Sequence, residues 1–87
     1  MEACKYQYIS TAGSHLLKSR AGVLGKVIVG ETSAQAVTIH DSAGSGGLQI
    51  ANLKASIAEN SYEFECRFAK GLYIENPGGS KLTVVYK

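Results

Sequence analysis

GVLGKVIVGETSAQAVTIHDSAGSGG, residues 22–47, is the stretch whose reading decides the fold. Residues 23–29 carry Val27, Ile28 and Val29 in succession. An extended chain sends successive side chains to opposite faces, so this run presents apolar groups on both, as a strand covered on both sides does. The run predicts a central strand or one lying at an interface. Residues 30–35 are a polar connection, after which Val37 and Ile39 point one way and Thr38 and His40 the other, which predicts a second strand. DSAGSGG, residues 41–47, gathers the Asp, Ser and Gly that start turns and tolerate positive φ, and predicts a hairpin-like connection. It lacks the Gly-Lys-Ser/Thr ending and the following helix of a phosphate-binding loop.

Working outward, residues 61–68 alternate most cleanly, with Tyr62, Phe64, Cys66 and Phe68 on one side and Ser61, Glu63, Glu65 and Arg67 on the other. The aromatic side is the expected heart of the core. Residues 4–9 alternate too, Cys4, Tyr6 and Tyr8 being read as inward against Lys5, Gln7 and Ile9. Residues 10–14 read as a turn and 15–20 as a weaker strand. After a turn at 69–71, Leu72 and Ile74 mark a short strand ended by Asn76-Pro77-Gly78-Gly79, and residues 81–87 close the chain with Leu82, Val84 and Tyr86 inward. Residues 48–60 are ambiguous: Ile50, Leu53 and Ile57 also fit helical spacing, but a strand over 48–54 is preferred, with a β-bulge where the Leu48/Ile50 phase breaks at Leu53. The sum is an all-β domain spanning 1–87, a small antiparallel β-sandwich, jelly-roll-like or Ig-like, of about seven to eight short strands.

Composition narrows the function classes. A chain of 87 residues buries only about 60% of its unfolded surface, so its core is thin. With 45% hydrophobic and 18% charged residues it is too apolar for a disordered protein. The net charge of +2 is small and the nine Lys and Arg are dispersed, with no basic run to mark a nucleic-acid groove, so no specific nucleic acid is expected as a partner. MEACKYQYIS has no apolar leader core and no run is long enough to span a bilayer, so the expectation is a soluble chain made in the cytosol without a membrane partner. Cys4 and Cys66 make no disulfide framework, and a bridge between them requires their strands to be neighbours.

No catalytic, cofactor-binding or metal-binding residues emerge, and the chain is expected not to be an enzyme. His15 and His40 lack a third ligand at a standard spacing. His40-Asp41 beside serines suggests a hydrolytic triad, but sequential neighbours on a strand point to opposite faces. Glu63 and Glu65, about 7 Å apart on one strand face, sit with Ser61 and Arg67 as an ordinary solvated face. Cys4 and Cys66 alternate in phase with the aromatics and read as buried structural thiols. The five tyrosines and two phenylalanines read mostly as core, Tyr73 being the one whose neighbours Leu72 and Ile74 claim the inside.

The segments GVLGKVIVGET (22–32), AVTIHDSAGSG (36–46) and KGLYIENPGGSKLTVVYK (70–87) resemble small proteins encoded by tailed bacteriophages, in the order "G-V-L-x-x-V-x-V", "T-I-x-D" with a small-residue loop, "G-L-x-x" and a closing "T-V-V-Y". That resemblance implies a virion structural protein of β-sandwich type, a capsid cement or decoration protein assembling as a homotrimer and stabilising neighbouring subunits of the major capsid protein. A tail or fibre accessory protein is its nearest variant. The implied location is the virion, after synthesis in the host cytoplasm. No cofactor follows from it. The expected subunit or partner contacts are Val23, Lys26, Ile28 and Val85, with Tyr73 nearby. The alternative is a small β-sandwich binding module for carbohydrate or nucleic acid.

Overall fold

A computed structural model describes residues 5–44 and 47–87. Among them the chain forms eight strands and no helix: β1 Lys5–Ile9, β2 Gly13–Lys18, β3 Gly22–Glu31, β4 Val37–Asp41, β5 Leu48–Leu53, β6 Ser61–Phe68, β7 Leu72–Asn76 and β8 Lys81–Tyr86. All pairings are antiparallel: β1 with β8, β2 with β7, β3 with β6 and β4 with β5. The chain is thus one long hairpin, its tip at the β4–β5 loop, rolled up so that β8 also pairs with β3 and β7 with β4. Rolling yields two four-stranded sheets, β1-β8-β3-β6 and β2-β7-β4-β5. That order is a jelly roll, one of the two sandwich types expected. The sheets face each other in a slab with extents of 30 × 28 × 17 Å.

The core lies between the sheets. Leu24, Val27 and Val29 of β3, Leu82, Val84 and Tyr86 of β8, Ile39 of β4 and Leu72 and Ile74 of β7 are all buried there. Leu24 and Val27, three positions apart, could not share a face of a regular strand. They do so because β3 bulges at Gly25: Leu24 stands opposite Tyr86 and Val27 opposite Val84, so three steps on β3 match two on β8. The apolar run 23–29 is thereby split between an inner row and an outer one of Val23, Lys26 and Ile28, which are half-buried. β6 is more irregular still. Phe64 and Glu65 stand opposite the single Gly25, and Glu65 has φ 51°, the left-handed region that a non-glycine residue enters rarely. Glu63 and Glu65 are therefore not a regular pair on one face.

Three expectations change. Tyr6 and Tyr8 point outward and are 73% and 54% exposed. The cause is register: Ile9 pairs with the buried Leu82, and that pairing forces Tyr6 opposite Val85 and Tyr8 opposite Thr83 on the outer face. Residues 48–53 are a strand, and the helical alternative fails; the bulge falls at Ile50, since Gln49 is opposite His40 and Ala51 opposite Ile39. The second strand begins at Gly13, inside the stretch read as a turn. Cys4, and with it the possible bridge to Cys66, lies outside the described residues.

The two ends of the sandwich are tied by different devices. At one, the fully buried Asn76 donates from Nδ2 to the Ser80 carbonyl at 2.9 Å and accepts from the Ser80 amide at 3.0 Å, closing the β7–β8 turn. Ser80 Oγ in turn donates to Ser33 Oγ in the β3–β4 loop at 2.9 Å. At the other end Gly71 is packed so closely that a Cβ there would meet the carbonyl oxygens of Ser42 at 2.5 Å and Lys18 at 2.6 Å. Neither backbone can yield cheaply. Asn76→Ala leaves a buried amide and carbonyl of Ser80 unpaired, and we expect a loss of about 1–3 kcal/mol, read as a lower urea midpoint with an unchanged m-value. Gly71→Ala is expected to cost at least as much in the same measurement, because two backbone segments must shift.

Candidate interaction surfaces

No pocket is enclosed by the described residues, and among them no group of three or more His, Cys, Asp or Glu could hold a metal ion. What the fold offers is two outer sheet faces and two loop ends. On the outer face of β1-β8-β3-β6, cross-strand register lines up Tyr6, Val85, Lys26 and Glu63 in one row and Tyr8, Thr83, Ile28 and Ser61 in the next. Val23 stands beside Arg67 on the same face. Four of the five contact residues expected from sequence, Val23, Lys26, Ile28 and Val85, thus belong to one surface. Apolar and aromatic groups run along it from β1 to β3, with the charges Lys26 and Glu63 paired across strands towards β6. Its two most exposed members, Tyr6 and Tyr8, were assigned to the core from alternation alone.

Tyr73 is on the opposite side of the slab, not near Val85. It lies on the outer face of β2-β7-β4-β5, opposite Leu16 of β2 and His40 of β4. Its ring meets His40 edge to face, with centroids 6.3 Å apart at 63°. Beside it the Thr38 hydroxyl donates to Glu75 Oε1 at 3.1 Å, and His40 Nε2 lies 3.1 Å from Thr38 Oγ1 and 3.5 Å from Glu75 Oε1. His40 Nδ1 is buried and has no hydrogen-bond partner among the described residues. His15 stands apart on β2, its Nε2 3.1 Å from the Thr11 carbonyl. The two histidines share a sheet but no ligand sphere, and Asp41 turns away from His40 to a different task.

That task is the end of the sandwich where β2, β4, β6 and β8 finish. Asp41 Oδ2 accepts from the Ala69 amide at 2.9 Å, and Oδ1 from the amides of Lys70 at 2.7 Å and Gly71 at 3.3 Å. One carboxylate thus holds the β6–β7 turn against the tip of the rolled hairpin. The amides of Ala69 and Lys70, foremost, hold its pKa below the ordinary 3.8, assisted by Gly71 and the Lys70 charge. Ser42 Oγ, next in sequence, shapes the loop by donating to the Gly44 carbonyl at 2.7 Å.

No protein-family model and no curated protein matches this chain in sequence. Among solved structures it is similar to Drosophila NLP-core, described for pentamer formation and histone binding. The likeness has a TM-score of 0.63 at 14% identity and covers 99% of this chain and 97% of that one. It is a likeness of fold over the whole domain. It also overturns the phage resemblance. The solved structure that it matches is a core described for histone binding and not a virion protein, so the expectations of capsid cement, a virion location and a capsid-protein partner are withdrawn. The physical reason lies in the residues that carried the resemblance: Gly22, Gly25, Val27, Ile39, Leu72 and Val84 are bulge glycines, tight approaches and core residues, which specify a rolled sandwich and no role.

A folded-state pKa below the unfolded one means that Asp41 contributes stability above the ordinary 3.8 and loses it as pH falls through the depressed value. Asp41→Asn should therefore melt earlier than the wild type at pH 7, and the gap should close as both are titrated into strong acid, measured by thermal unfolding across pH.

Proposed function

We propose that this protein is a non-catalytic jelly-roll binding module that works as a self-associated scaffold. Each copy packs the outer face of β1-β8-β3-β6, where Tyr6, Tyr8, Val23, Ile28 and Val85 lie, against a different surface of the next copy, as a ring requires, and leaves the loop ends of the sandwich to a macromolecular partner. The observation that carries the reading is the pair of exposed tyrosines, continuous with the half-buried Val85 and Ile28, on the edge and centre of one sheet. Tyrosine supplies large, stiff contact area, and such residues concentrate where interfaces form. The fold likeness to NLP-core, described for pentamer formation, supports a five-membered ring in place of the trimer expected from sequence.

Histone binding, also described for NLP-core, is the second reading for the partner. The shared fold favours it. The charge opposes it, since a chain of net +2 offers a basic partner little attraction.

Native mass spectrometry and sedimentation velocity test the scaffold. The wild type should populate a discrete oligomer, five-membered on this reading, at micromolar concentration. Tyr6→Glu with Tyr8→Glu should weaken association by at least about tenfold, because each buried tyrosine anchor contributes of the order of 1–2 kcal/mol or more, while the melting temperature of the isolated chain stays within a few degrees. A monomer at every concentration overturns self-association. Added basic histone peptide that shifts the oligomer's mass stoichiometrically favours the second reading of the partner.

A further inference from the structure

The basic residues that are scattered along the sequence are not scattered in space. Five of the nine Lys and Arg, namely Lys5, Lys18, Arg20, Arg67 and Lys70, fall at the end of the sandwich where β1 begins and β2, β6 and β8 finish. Register fixes three of them there: Lys5 stands opposite Tyr86, Lys18 opposite Leu72 and Arg67 opposite Val23. Among the described residues the carboxylates close to this end are Asp41 and Glu65. Both oxygens of Asp41 accept backbone amides, and Glu65 sits in the β6 bulge. At the opposite end Lys54 and Lys81 stand with Glu31, Glu59 and Glu75, and Lys81 pairs with Glu31 at 3.4 Å. The modest net charge of +2 conceals a molecule with a positive pole and a slightly negative one.

We propose that this basic end is a sequence-independent binding surface for the phosphate backbone of nucleic acid. The end is built, not accidental: Asp41 clamps the turn that carries Lys70, and Gly71 lets that turn close on the Lys18 and Ser42 carbonyls, so the segments that bear Lys18 and Lys70 are held together at one end. The described residues enclose no pocket there to clasp a single small anion, and the cations come from three places in the chain, which suits a repeating polyanion. The slab is 17 Å thick, a length over which duplex DNA presents about ten phosphate charges. No exposed aromatic row accompanies the cations on these turns, so the surface reads charge and not bases. Arg67 alone stands on the sheet face proposed for self-association, beside Val23; the other four cations lie off that face, so the surface does not require an oligomer.

Fluorescence anisotropy with labelled mixed-sequence duplex and single-stranded oligonucleotides tests it. Binding should weaken with salt at a slope of about −4 in log K against log concentration for duplex, roughly two-hundredfold between about 50 and 200 mM, as expected when four or five cations meet phosphates. Arg20→Glu with Lys70→Glu, both on exposed turns, should cut affinity by at least about tenfold, and the neutral pair Arg20→Gln with Lys70→Gln by less. Lys54→Glu with Lys81→Glu makes the same change in net charge at the other end and should cost under about twofold. Circular dichroism confirms that each variant is folded. Absence of binding at low salt, or equal losses from the two charge-reversed pairs, overturns the proposal. So does displacement of the oligonucleotide by polyglutamate at a lower charge concentration than by unlabelled duplex, which would assign the surface to an acidic polypeptide.

Discussion

The pairing of β8 with β1 on one side and β3 on the other is the constraint on which the structure depends. It inserts the last strand of the chain between the first and the third, so the sheet closes only after everything between them has been rolled into place. Leu82, Val84 and Tyr86 supply the inner row that both neighbours match, and Tyr86 adds a hydrogen bond from its hydroxyl to the Leu17 carbonyl in the other sheet at 3.4 Å. Each nested pair of the rolled hairpin except β4 with β5 joins strands remote in sequence. Such contacts must meet the entropy of loop closure before they contribute, which makes this topology slow to form. Bulges at Gly25 of β3, at Glu65 of β6 and at Ile50 of β5 adjust the phase of the strands as they curve.

Much of this fold was legible in the residues. β6 and β8 alternate without ambiguity, and turn residues mark nearly every boundary, so the sandwich and its strand count follow from pattern. The failure on β1 has a plain physical origin. Alternation tells which residues share a face but not which face is inside, and on β1 the tyrosines looked like the inner set. The register against Leu82 decides otherwise, and register is a long-range property linking residue 9 to residue 82. Tyr73 failed differently: its outward phase on β7 was right, but no local pattern reveals that β7 and β8 lie in different sheets. The phage resemblance failed because its matching residues are those any jelly roll of this kind needs. Dispersed basic residues posed the same problem as the tyrosines, since only the roll shows that Lys5, Lys18 and Arg67 come to one end.

Asp41 connects the stability of the domain to its surface chemistry. Its carboxylate stays ionised and offsets one positive charge of the basic end, while its bonds to three successive amides fix the turn bearing Lys70. The same residue was a candidate for triad chemistry with His40 in sequence. The fold sends the two to separate networks, His40 to Thr38 and Glu75 on the sheet face and Asp41 to the loop end.

The sheet face and the basic end also constrain each other. The face lies parallel to the strands and the end lies across them, so a copy packed on the face leaves the end uncovered. In a cyclic assembly every copy presents the same end to the same side of the ring. The positive poles would then add into one electropositive surface, at the expense of mutual repulsion that the tyrosine contacts must offset. A two-fold pair with opposed strand directions would separate the poles and avoid that repulsion. Screening by salt therefore favours the ring over the monomer while it weakens the ring's hold on a polyanion, so the two activities respond to ionic strength in opposite senses.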